Sequence, residues 1–295
     1  MAKRRAKFFL KTNCSVNVLN TCMKKSITRI VAYGCSFTAG DELMDHVTMG
    51  VGFEECNEIK RKYLGKNTYG AVKKNVPMAM GDFYKDYGDR LDDRLCQNSS
   101  WAAQVADMLG VPVVNRAIKG SGLDEHYFGI YRDWHKGLIQ DGDLVLVGLT
   151  SMDRMPDFRL NRHRPHCYTL LSRFIPNDSS SGLLLDVYND DFQVFQYFKT
   201  LQSLANLNSK ITVMMQPMGV WPLAQYLDLL VRLGLTYTRE YAAQIWQECE
   251  PHIVSELILD RTLPMCGFGH PSLAAHDKLA KELVPILDGR FKFVR

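Results

Sequence analysis

The stretch Ile27-Thr28-Arg29-Ile30-Val31-Ala32-Tyr33, followed at once by Gly34-Cys35-Ser36-Phe37-Thr38-Ala39-Gly40, decides the fold. The β-branched run predicts a strand that Gly34 ends. A serine in a short glycine-bounded turn then leads to Asp41, Glu42 and Leu43, a helix start. Strand, tight turn and helix in that order belong to the working edge of an α/β fold. Moving outward, LVLVGL (144–149) is the most continuous apolar run and suits a strand covered on both faces of a parallel sheet. VPVVN (111–115) and KITVMM (210–215) read as further strands. Helical spacing marks 99–109, 123–137, 193–207, 222–233 and 240–259. It also marks a last helix after His270-Pro271, with Leu273, Ala274, Leu279, Leu283 and Ile286 on one face.

Strands near 27–33, 111–114, 143–148 and 211–216, separated by helices, predict a three-layer α/β sandwich with a mostly parallel central sheet. Right-handed crossovers collect the strand ends on one edge, where ligands gather. Residues 44–98 are polar, aromatic and without a clean period, and read as an insertion or lid holding some local structure. Residues 152–189 form a second polar excursion. The expected organisation is a single domain over 26–295 behind a basic, flexible leader, 1–25.

Charge is unevenly distributed. The chain of 295 residues carries a net +4, but residues 1–25 alone hold +7 and no acid, leaving −3 for the rest. Basicity confined to a leader gives a nucleic-acid-binding fold little support. No run approaches the roughly 18 apolar residues of a membrane span. The apolar stretch behind the first basic residues is broken by Lys11, Thr12 and Asn13, which argues against a signal peptide. Eight cysteines, several within apolar runs, read as reduced thiols in a cytoplasmic setting.

Ser36 directly follows an apolar strand, where a sharp turn presents its hydroxyl and frees backbone N–H groups. The turn is neither a G-x-S-x-G elbow nor a phosphate loop, since no Gly-Lys-Ser/Thr follows. Gly34–Gly40, GCSFTAG, resembles the first block of the SGNH, or GDSL-like, hydrolase superfamily in its GCSFT form. Asn115-Arg116-Ala117-Ile118-Lys119-Gly120-Ser121 resembles the second block, and Gly269-His270-Pro271-Ser272 the last. The resemblance spans roughly 30–290. It implies a flavodoxin-like SGNH fold, Ser36 as nucleophile, His270 as base, and the N–H groups of Ser36 and Gly120 as oxyanion donors, with no cofactor or metal. The implied reaction is ester cleavage through an acyl-enzyme. O-acetyl groups on a sugar or polymer are the default substrate, and a catalytically weak binding or structural protein is the alternative.

Two departures stand out. Where the family carries Gly-x-Asn-Asp, this chain has Gly148-Leu149-Thr150-Ser151, so Thr150 or Ser151 must offer a hydroxyl in place of the amide. Arg154 either faces an anionic group or sits as a solvated loop arginine. Three residues before His270, where the family places Asp, stands Gly267. A Ser–His dyad oriented by a backbone carbonyl is the preferred expectation; an acid from elsewhere or a weakened enzyme are the others. Asp41 and Glu42 are expected to favour a helix start or to hold a basic lid residue. His163, His166, Cys167, Cys249 and His252 are zinc-type residues but lack knuckle spacing. The leader and the GCSFT form suit a viral or bacterial intracellular protein.

Overall fold

The structure is a computed structural model that describes residues 24–66, 76–150, 154–155, 169–170, 190–218, 236–255, 257, 263–267 and 270–294. In chain order its strands are β1 (Ser26–Ile27), β2 (Arg29–Tyr33), β3 (Val113–Asn115), β4 (Asp143–Leu149), β5 (Arg154–Met155), β6 (Thr169–Leu170), β7 (Thr212–Pro217) and β8 (Lys292–Phe293). The helices are α1 (Ser36–Ala39), α2 (Asp45–Met49), α3 (Phe53–Lys66), α4 (Val76–Tyr87), α5 (Asp93–Asn98), α6 (Trp101–Leu109), α7 (Leu123–His135), α8 (Asp190–Asn206), α9 (Thr236–Cys249) and α10 (Leu273–Arg290). The helix expected over 222–233 lies outside the described residues.

The main sheet is parallel throughout, in the order β3-β2-β4-β7. Numbered by appearance along the chain, its strands run 2-1-3-4. Beyond β7, Ile253 bridges Met215 in parallel, and the Val254 N–H donates to the Met215 carbonyl. Alternation along the strands divides the core. Ile30, Ala32, Leu144, Leu146 and Met214 cluster with Trp101 and Val105 of α6 and with Leu279 and Leu283 of α10. Val31, Tyr33, Val145, Val147, Val213 and Met215 cluster with α7, α8 and α9 through Ile130, Leu201 and Ile245. A period-2 strand buried on both faces therefore yields three layers. Each fully buried Val, Leu or Ile contributes about 1.5–3 kcal/mol relative to leaving it in water.

Local chemistry sets the boundaries of α6. The Ser100 hydroxyl accepts from the Ala103 N–H at 3.4 Å, and Gly110 closes the helix in the left-handed region at φ 69°. The local structure expected within segment 44–98 is helical, since α2, α3, α4 and α5 fill much of it. Its helices escape a hydrophobic-period reading because the inward face of α3 is Cys56, Asn57 and Lys60, each at most 2% exposed. A polar buried face gives no apolar period. Phe83 of α4 packs beneath it against Tyr63, Tyr84 and Tyr87.

Candidate active site

The serine turn follows from the end of β2. Thr38 folds back so closely that a Cβ at Gly34 would stand 2.1 Å from its Oγ1, and a Cβ at Gly148 2.0 Å. Only glycine on both strands leaves room for that threonine. Ser36 opens the four-residue α1, whose first bonded amides are Thr38 and Ala39, both donating to the Cys35 carbonyl at 3.0 and 2.9 Å. Among the described residues the Ser36 N–H has no backbone acceptor, as expected at a helix start.

The second loop is tied to this turn by hydrogen bonds. Arg116 N–H donates to the Ala32 carbonyl at 2.7 Å and Ile118 N–H to the Gly34 carbonyl at 2.9 Å. Asn115 Nδ2 donates to the Thr38 carbonyl at 2.9 Å, and its Oδ1 accepts from the Ala117 N–H at 3.0 Å. Gly120 sits at φ +78° with open space around its Cβ direction, so backbone conformation and not crowding calls for glycine. Its N–H likewise lacks a backbone acceptor among the described residues.

His270 arrives from the far end of the chain. Its ring packs edge-on against Phe37, with centroids 5.7 Å apart, beside the Ser36 turn. Its Nδ1 lies 2.5 Å from Glu42 Oε2, and its Nε2 lies 3.8 Å from Asp41 Oδ2. No hydrogen bond joins Ser36 to His270 among the described residues. Where orientation by a backbone carbonyl was expected, the described residues place a carboxylate 228 residues away in sequence against Nδ1.

Glu42 is fully buried with Lys60, whose Nζ contacts Glu42 Oε1 at 2.7 Å and Asp45 Oδ2 at 2.8 Å. Burial alone raises the Glu42 carboxyl, but hydrogen bonding and charge from His270 and attraction to Lys60 outweigh it and bring the pKa to about 2. Burial opposes the Lys60 charge, while Glu42 and Asp45 more than restore it and hold the ammonium above its ordinary range. The expectation that Asp41 or Glu42 holds a basic residue from the insertion fits the Glu42–Lys60 pair. Its contact with His270 was not foreseen. The signal available was the missing side chain at 267 together with two acids just past the Ser36 turn.

Asp41 is buried too. It pairs with Lys119 at 2.6 Å and accepts from the Tyr84 hydroxyl at 3.3 Å, while Lys119 also reaches Asp93 at 2.8 Å. Lys119 immediately precedes Gly120, so this pair ties the second loop to the segment behind Ser36. His276, one turn into α10, accepts the Trp101 N–H on Nδ1 at 3.0 Å. Complete burial and the neighbouring His270 charge lower its pKa to about 3, so it serves α6 as a neutral cap.

Thr150 is buried at the end of β4, and its Oγ1 has no hydrogen-bond partner among the described residues. Ser151 lies outside them. Arg154 lies in β5 opposite Leu170. His163, His166 and Cys167 also lie outside the described residues, and Cys249 is buried in the core. The five described cysteines, Cys35, Cys56, Cys96, Cys249 and Cys266, are buried and unbridged. No described helix is long and apolar enough to cross a membrane.

No family model and no curated protein matches the chain. Among solved structures it is similar to Axe2, an acetylxylan esterase from Geobacillus stearothermophilus, at 15% identity and a TM-score of 0.40, covering 90% of this chain and 96% of that one. A member of the lipolytic protein G-D-S-L family from Veillonella parvula aligns at 11% identity and 0.39, over 90% and 100%. A family two carbohydrate esterase from Clostridium thermocellum aligns at 13% and 0.41, over 89% of this chain and 64% of its own. Likenesses of that size leave the chemistry to the site's own geometry.

Proposed function

We propose that the chain is an SGNH-type serine hydrolase that cleaves an ester-type bond through an acyl-enzyme. The observation that carries this reading is the His270 ring against Phe37, which sets an imidazole beside a serine turn more than 230 residues away. The strand order 2-1-3-4, with Ile253 in a fifth position, supports the flavodoxin-like arrangement. Ser36 Oγ attacks the carbonyl carbon and His270 Nε2 takes its proton. The oxyanion meets the N–H groups of Ser36 and Gly120, each contributing about 3 kcal/mol in the transition state. Collapse expels the alcohol, which leaves with the proton from His270. Water, activated by the same nitrogen, then releases the acid.

An O-acetyl group on a sugar or polymer remains the proposed substrate class. Thr150 or Ser151 takes the place of the usual amide donor, and Arg154 faces any charged group on the substrate. A binding role without turnover is the second reading. It is favoured by the absence of a Ser36–His270 hydrogen bond and by the Asp41 carboxylate 3.8 Å from Nε2. Fluorophosphonate labelling and turnover of a short-chain aryl ester separate the two. Signal in the parent, lost in Ser36→Ala and His270→Ala, supports the enzyme. Equal signal in all three rejects the nucleophile, and none in the parent favours the binding protein.

A further inference from the structure

We infer that Glu42 is the positioning residue of His270, and that Lys60, carried in by the inserted α3, occupies the space a side chain at position 267 would need. The inference rests on the hydrolase reading and deepens it. The acid of this site would come from the segment just behind the nucleophile, and not from the segment just before the histidine.

Four observations converge. Glu42 Oε2 lies 2.5 Å from His270 Nδ1 and 3.4 Å from the His270 backbone N–H, so one oxygen engages both donors. An ionised carboxylate only accepts, so Nδ1 carries the ring proton that faces it and Nε2 is the nitrogen that acts as base. Glu42 is also the one non-glycine residue at positive φ, 69°, among the described residues. A non-glycine residue held there costs free energy and persists where surrounding structure over-determines it, commonly at functional sites. Finally, a Cβ at Gly267 would come 2.5 Å from Lys60 Cβ and 2.8 Å from its Cδ. The lysine stem excludes an acid at that position while its ammonium neutralises the acid that replaces it.

Charges around the imidazole are consistent with this role. Glu42 faces Nδ1 and Asp41 faces Nε2; behind them stand Lys60 and Asp45 on one side and Lys119 on the other. The Cys266 thiol, the Tyr84 hydroxyl on Asp41 and neutral His276 also stand near them among the described residues. When His270 takes the Ser36 proton, the imidazolium forms between two carboxylates. Each of the two carboxylates is paired with a lysine.

The test compares the parent with Glu42→Gln and Glu42→Asp on a short-chain aryl ester across pH. Glu42→Gln is expected to lose about 10³–10⁴-fold in kcat/KM, as when the orienting acid of a serine hydrolase is neutralised. Its acidic limb should move to lower pH by about one unit or more, because removing a carboxylate lowers the imidazole pKa. Glu42→Asp should recover part of both. Activity within about twofold of the parent and an unmoved limb would overturn the inference. A parent with no turnover or labelling would instead overturn the hydrolase reading. Should Glu42→Gln fail to fold, ¹⁵N NMR of the parent, with His270→Gln for assignment, decides the point: Nδ1–H is expected and Nε2–H overturns it.

Discussion

Thr38 constrains two glycines, Gly34 just past β2 and Gly148 in the neighbouring β4, and its Oγ1 has no hydrogen-bond partner among the described residues. A methyl at either position must displace the threonine and with it the turn that presents Ser36. Gly148→Ala is expected to cost about 1–3 kcal/mol by overpacking, visible as a lower denaturation midpoint, and to weaken fluorophosphonate labelling. His276 gives a pH prediction. Its folded pKa of about 3 lies below the ordinary 6.5, so between those values the unfolded chain binds the extra proton. Its contribution is intact above about pH 6.5 and is lost as pH falls, by about 1.4 kcal/mol per unit within that window. Urea denaturation at pH 7 and 5 should show a smaller loss in His276→Asn than in the parent. The turn at Ser36, the loop at Gly120 and the place of His270 before the last helix were legible because their residue types sit in turns after strands or before a helix. The carboxylate beside His270 was not, because no local pattern reveals which side chain reaches a histidine 228 positions away.

Among the described elements, the main-sheet strands and most flanking helices were legible to within a few residues, since apolar alternation and helical spacing report burial directly, but the helix expected over 240–259 ends at Cys249. The inserted helices were not, because α3 turns Asn57 and Lys60 inward and anchors itself by charge. That anchoring makes α3 unusually sensitive to one substitution. Lys60→Met would leave Glu42 and Asp45 facing each other in the interior without a cation, an expected loss of about 3–5 kcal/mol. Thermal unfolding checks it. Gly267→Ala should destabilise the parent through the Lys60 stem, and much less a Lys60→Gly background.

For the whole molecule, the two apolar clusters on either side of β2 and β4 carry the fold, and the alternation that builds them is visible in the bare sequence. The junction of the ends is less visible. β1 pairs in parallel with β8, and Phe291 and Phe293 pack partly buried against the α6 and α10 layer. Ending the chain at Arg290 is expected to cost about 2–3 kcal/mol, measurable by urea titration, as two half-buried aromatic rings and a strand pairing are lost.

That pairing also orients the molecule toward its surroundings. β2 runs from β1 to Ser36, so residues 26–27 and 292–293 meet at the pole opposite that serine. A tether fixed to the paired ends would therefore sit at the far end of β2 from the Ser36 turn.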